Sequence, residues 1–189
     1  MLAWALVHLH PFRPFPLLRT PRLVLRELAL TDAVALFDVF SDRETMKHWS
    51  TPPHASIGET EAMLRASAEG VGAGEFVEWG IALADDDDHV VGKIGHHRWL
   101  RSHQRSEVGY ILRRDLWGRG LTSEALRAVI EFGWARMHLH SVEAQLDPRN
   151  RRSARVLEHV GFVKEGHLRE NFVALGRFCD TAIYSLLAP

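Results

Sequence analysis

Two glycines, an asparagine and a serine carry much of the chemical information in this chain. Trp117-Gly118-Arg119-Gly120-Leu121-Thr122 follows Glu107 to Leu112, a segment rich in β-branched and aromatic residues. Ala125, Leu126, Val129, Ile130, Gly133, Trp134 and Met137 then recur at helical spacing. A strand, a Gly-x-Gly turn and a helix bring free backbone N–H groups and a positive dipole end to one point, which suits a phosphate. Gly118 and Gly120 permit close approach of a ligand, and Thr122 adds a hydroxyl to the first helical turn. About thirty residues on, Asn150 is a good N-cap for a short helix that carries Ser153 and ends at Gly161. Arg149, Arg151, Arg152 and Arg155 crowd the start of that helix. Guanidinium suits phosphate geometry, so one or two of them are expected on phosphate and the rest solvated.

These groups need a scaffold. Leu23 and Leu25 alternate with Arg22 and Arg26 as in a half-buried first strand. Thr31-Asp32 is placed to cap a helix with Ala33, Leu36, Phe37 and Phe40 on one face, and Ser56 to Glu59 has capping-box spacing for a second helix to about Glu69. Strands are expected at Phe76 to Ala84 and His89 to Trp99 about an acidic hairpin tip, Asp85 to Asp88, read as solvated rather than as a metal site. Another strand is expected at Ser141 to Leu146, and two final ones near Phe162 to Glu170 and Arg177 to Leu187. The fold class is α/β (α+β): a mixed, mainly antiparallel sheet with helices on both faces.

A chain of 189 residues suits one domain, and a net charge of −1 suggests no polyanionic partner such as nucleic acid. The single cysteine, Cys179, points to a reducing, cytoplasmic setting and reads as a core residue. The apolar opening, Met1 to His10, lacks a basic n-region and is followed by Pro11, Pro14 and Pro16. Residues 1–17 are therefore read as an extension and 18–189 as the folded domain, with no membrane span expected.

The Gly-x-Gly loop and helix, a strand, then Asn150-x-x-Ser153 and a helix ending in Gly161-Phe162 resemble the GNAT N-acetyltransferase superfamily. Thr20 to Arg26, Gly166 to Glu170 and Asp180 to Leu187 extend the resemblance to the branch that acetylates N-terminal amines (alanine) of ribosomal proteins, over roughly residues 18 to 188. It implies a sheet whose fourth and fifth strands splay apart to hold acetyl-CoA, the acyl-donor substrate, with no metal. The pantetheine amides would pair with the backbone of Ile111, Leu112 and Arg113. The pyrophosphate would lie on Trp117, Gly118, Arg119, Gly120, Leu121 and Thr122, with Asn150, Arg152 and Ser153 completing the cofactor site. Asp115 departs from the Gln or Arg usual in the superfamily, so its carboxylate is expected to face solvent.

Acetyl transfer from a thioester needs a neutral amine and stabilisation of the departing thiolate. An α-amine, with a pKa of about 8, is about 3.3 kcal/mol easier to neutralise than a lysine at about 10.4. Glu107 stands where the branch usually has an acidic residue and is the candidate base, with His96, His97 and His103 as alternatives. Many superfamily members protonate the thiolate with a tyrosine at the position of Leu157; here the branch suggests Ser153 instead. The reading is an N-acetyltransferase acting by direct attack on a protein or peptide N-terminus, as a monomer or homodimer. The alternatives are a small-amine acetyltransferase (polyamine, aminoglycoside or amino acid) and a non-catalytic acyl-CoA binding module.

Overall fold

Hairpin turns and helical connections together generate one eight-stranded sheet. A computed structural model describes residues 11–189; the apolar opening lies outside the described residues. In chain order the elements are β1 (Leu18–Arg19), β2 (Leu23–Arg26), α1 (Ala33–Phe40), α2 (Ile57–Ala73), β3 (Val77–Leu83) and β4 (Asp86–Leu100). They continue as β5 (Arg105–Leu112), α3 (Leu121–Met137), β6 (Ser141–Leu146), α4 (Arg151–Val160), β7 (Val163–Ala174) and β8 (Arg177–Leu187). The strands lie in the order β1-β2-β3-β4-β5-β6-β8-β7, and every neighbouring pair is antiparallel except β5–β6.

Successive strand residues point to opposite faces, and the two cores follow that rule. Leu112 and Val91 pack with α3 and α4 through Leu126, Val129 and Leu157. Their neighbours Ile111 and Val90 pack with α1 and α2 through Leu36, Phe40 and Leu64. The mainly antiparallel sheet with helices on both faces is therefore as expected.

The parallel pairing of β5 with β6 covers only Arg105–Glu107 against Ser141–Glu143. Beyond it, β5 stays on β4 up to Leu112, while β6 stays on β8 up to Leu146. A gap therefore opens from Val108 onward. Counting the two-residue β1, these fifth and sixth strands are the splayed pair that the resemblance implies.

Several boundaries differ from expectation. Helix α2 does not stop near Glu69 but runs on through Gly70 and Gly72 to a left-handed Gly74. Gly70 is a packing glycine inside the helix: the Phe76 ring fills the space that a side chain there would need. Strand β2 is buried on both faces, not half-buried, because it lies inside the sheet between β1 and β3. The acidic stretch is largely strand: the turn is at Ala84–Asp85, and the Asp87 and Asp88 carbonyls accept from the Arg26 guanidinium. Strand β7 extends past Glu170 to Ala174, because pairing with β8 resumes at Phe172–Cys179 and closes on Leu175-Gly176, both with positive φ.

The end of the amino-terminal extension is packed. Phe12 is buried edge-on to Phe132, and Trp79 Nε1 donates to the Pro16 carbonyl at 2.7 Å. Burying a phenyl ring of this kind contributes roughly 1.5–3 kcal/mol. Among the described residues no helix is long and apolar enough to cross a membrane.

Candidate active site

The glycine loop leaves backbone N–H groups exposed at the start of a helix. Gly118 and Gly120 both have φ of 76°, where a side chain would strain the backbone, and Gly120 serves as the N-cap of α3. No side chain caps this helix, so its first N–H groups remain available. A Cβ on Gly118 would meet no protein atom within 4 Å, which leaves its outer side open to a ligand. Leu121 anchors the first turn in the core, while Arg119 is exposed and Thr122 half-buried.

The loop is held from two sides. Trp117 Nε1 donates to the Leu112 carbonyl at 2.8 Å, hooking the loop to the end of β5. The Glu124 carboxylate accepts from Thr20 Oγ1 at 2.6 Å, from the Arg22 backbone at 2.9 Å and from Arg22 Nε at 2.6 Å. Arg22 Nη1 also donates to the Arg119 carbonyl at 2.8 Å. This clamp escaped the sequence reading, although an acid in the first helical turn was a signal for it. Asp115 does face solvent, and it pairs with Arg113, which offsets its charge near the loop.

On the floor of the gap, Arg113 N–H donates to the Val91 carbonyl at 2.8 Å. The alternation of an antiparallel ladder turns the Val108 carbonyl, both backbone groups of Tyr110 and the Leu112 N–H away from β4, toward the gap, whereas Ile111 and Arg113, expected there, face β4. That gives a ligand rich in amides a strand edge to pair with. Asn150 caps α4 by accepting from the Ser153 N–H at 3.1 Å. Arg152 lies with its guanidinium 4.1 Å from the centre of the Trp117 ring, so α4 meets the glycine loop. Arg149 instead pairs with Asp147.

Beside the gap is a cavity of about 1320 Å³, lined by Glu107, Gly109, Tyr110, Asn150 and Ser153 together with residues of the β7–β8 hairpin. The glycine loop and Ile111 to Arg113 lie outside it. Glu107 is three-quarters buried, and its Oε2 has no aligned hydrogen-bond partner. Arg98 Nη1 is 3.2 Å from that oxygen, close enough for an ion pair but poorly directed for a hydrogen bond. Burial pushes the Glu107 carboxyl upward, against the opposing pull of Arg98 and Arg105. A carboxylate so placed can take a proton.

The candidate histidines do not join it. His96 is fully buried between Ser106 and the Val129 carbonyl, and burial pulls its pKa down to about 4. His97 lies beside Glu78 and the Phe76 ring, and His103 is exposed in the turn before β5. The histidine on the cavity wall is His48, whose Nδ1 is 3.3 Å from Asp147 Oδ2. Burial would raise the Asp147 carboxyl, but bonds from Arg149 and His48 hold it down at about 2. Cys179, expected in the core, is half-exposed on the cavity wall, because β8 passes the end of β6 at Leu146 and loses its neighbour there. Leu157 is buried and carries no hydroxyl, whereas Tyr110, which the sequence reading passed over, places its hydroxyl 2.8 Å from Ser153 Oγ.

A family model described as acetyltransferase (GNAT) domain matches residues 22–163. The chain belongs to the GNAT acetyltransferase family. It is 33% identical over 175 residues to the uncharacterized N-acetyltransferase YoaA of Bacillus subtilis, covering 93% of this chain and 98% of that one. It is 28% identical over 177 residues to the [ribosomal protein uS5]-alanine N-acetyltransferase of Escherichia coli, covering 91% of each. In fold it resembles spermidine N-acetyltransferase of Vibrio cholerae, solved in complex with CoA and spermine, with a TM-score of 0.76 at 21% identity over 89% of this chain and 96% of that one. This GNAT chain is an N-acetyltransferase that transfers an acetyl group from acetyl-CoA to an amine, which sets aside the non-catalytic reading. Among the described residues no cluster of three or more His, Cys, Asp or Glu is placed to hold a metal.

Proposed function

We propose that this N-acetyltransferase acts on the N-terminal α-amine of a protein or peptide in the cytoplasm, by direct attack on acetyl-CoA. The observation that carries the reading is the buried, under-bonded Glu107 carboxylate on the wall of a cavity of about 1320 Å³. The cavity takes the end of the pantetheine arm at Asn150 and Ser153 and continues along the β7–β8 hairpin, where an extended chain can lie. Exposed Leu168, Phe172 and Phe178 on the hairpin wall offer apolar contacts for side chains that follow the acceptor residue.

In this reading the loop from Trp117 to Thr122 and Arg152 bind the phosphates. The gap-facing backbone at Tyr110 and Leu112 pairs with the pantetheine amides, and Asn150 holds the arm. Glu107 takes the proton of the amine and Ser153 stands by the sulfur. An α-amine, already half neutral at a pH near 8, places little demand on a carboxylate base.

A polyamine acceptor is the second reading, and the charges of the cavity count against it. Glu107, Asp147 and Asp180 face Lys47, Arg98, Arg149 and Arg177, three carboxylates against four cations. Asp147 is already bonded to Arg149. Such a wall has no surplus of negative charge to hold several ammonium groups.

The test compares kcat/KM for short peptides with a free, small first residue, the same peptides blocked there but carrying a lysine, and spermidine. The free N-terminus should be preferred at least tenfold. A preference for the lysine peptide, for spermidine or for an aminoglycoside would overturn the assignment.

A further inference from the structure

The hydroxyl of Tyr110 is 2.8 Å from Ser153 Oγ and 3.3 Å from the Ser153 carbonyl. Both residues line the cavity, and the bond ties β5 to α4 across the gap. A serine hydroxyl has one hydrogen, so the direction of this bond decides what Ser153 can do. A phenol is a much stronger donor than an aliphatic alcohol. With Tyr110 donating, the single Ser153 hydrogen is free to point elsewhere, and its oxygen is polarised toward giving it. One turn further along α4, Leu157 is buried and offers no hydroxyl for the same task. Burial raises the Tyr110 phenol to about 12, with the Ser153 bond acting in the opposite sense, so the phenol is protonated at working pH.

We infer that Tyr110 is a positioning residue for acetyl transfer: its O–H donates to Ser153 Oγ and thereby aims the Ser153 hydrogen at the thioester sulfur. The inference rests on the assignment of Ser153 to the sulfur. As the amine nitrogen bonds to the carbonyl carbon, the C–S bond breaks and its electron pair goes to sulfur. Tyr110 and Ser153 both keep their protons; they stabilise the developing thiolate through two linked hydrogen bonds. The amine proton passes to Glu107 and then to water, and the departed thiolate takes a proton from water.

Tyr110→Phe keeps the ring and removes only the donor. It should lower kcat about 3- to 10-fold with little change in the KM for acetyl-CoA, the scale expected of one neutral hydrogen bond. The sharper readout is the pKa of the thiol of bound coenzyme A, followed by thiolate absorbance without any turnover. In the wild type it should lie below that of free coenzyme A titrated in the same buffer. It should return toward that value in Tyr110→Phe and in Ser153→Ala, and the double variant should go no further than Ser153→Ala alone. Affinity for desulfo-coenzyme A should not change in Tyr110→Phe. If Ser153→Ala moves the thiol pKa and Tyr110→Phe does not, the Tyr110 role is overturned while Ser153 stands. If neither moves it, the Ser153 assignment itself falls, and Tyr110 with it. Should the Phe variant not fold, 3-fluorotyrosine incorporation gives a stronger donor in a chain with two tyrosines. It should lower the bound thiol pKa further, and an unchanged value would overturn the inference.

Discussion

The Arg22 guanidinium and the Glu124 carboxylate meet at 2.6 Å, and through them the turn between β1 and β2 grips the glycine loop. Arg22 also holds the Arg119 carbonyl, so the loop between Gly118 and Gly120 is shaped by residues a hundred positions earlier. Glu124→Ala should therefore raise the Kd for acetyl-CoA about tenfold, roughly 1.4 kcal/mol, by loosening the loop. Calorimetry on the folded variant checks this; an unchanged Kd would separate the clamp from ligand binding.

Gly118 provides a cleaner probe of the phosphate site. A side chain there meets no protein atom, so Gly118→Glu should cost folding only the strain of positive φ, about 1–2 kcal/mol. Its carboxylate would stand where the pyrophosphate is proposed to lie. Thermal protection by acetyl-CoA should be lost while the protein stays folded. Full protection would place the phosphates elsewhere.

Glu107 trades stability for activity. Its carboxyl titrates higher in the folded protein than in the unfolded chain, so folding binds the extra proton. Stability from this group is present below the ordinary glutamate pKa of about 4.3 and is lost as pH rises through the raised value. Glu107→Gln should thus raise the Tm at pH 7, lose that advantage near pH 4, and lower kcat most on the low-pH side. A variant with wild-type kcat from pH 6 to 9 would remove Glu107 from the chemistry.

His96 shifts the other way. Buried as a neutral ring with a pKa of about 4, it favours the folded state fully above the ordinary histidine value of about 6.5. That contribution fades as pH falls toward 4, by about 3 kcal/mol. Denaturant midpoints should decline over this range in the wild type and decline less in His96→Asn. Parallel pH profiles for the two proteins would show that other groups govern acid unfolding.

How much of this was legible in the chain follows from the range of the forces involved. Gly118, Gly120, Asn150 and Gly161 act through their own backbone angles or a cap three residues away, so a one-dimensional pattern reveals them. Periodicity likewise located the helices and strands, since it reports which side of each element is apolar. Where a boundary depended on a distant partner the pattern misled. Gly70 looked like a helix end but packs inside the helix against the Phe76 ring, and Cys179 looked like core until β6 ended short of it. His96 had a base's chemistry but a core position, which only its contacts with Ser106 and Val129 disclose. Arg22 with Glu124, His48 with Asp147 and Tyr110 with Ser153 join residues 102, 99 and 43 positions apart. Hydrogen bonds act over about 3 Å in space whatever the separation in sequence. The chain by itself therefore determined the family, most of the elements and the conformation of the glycine loop. Tertiary structure decided which charged and hydroxyl groups face one another across the gap, because that depends on where β5 and β6 part.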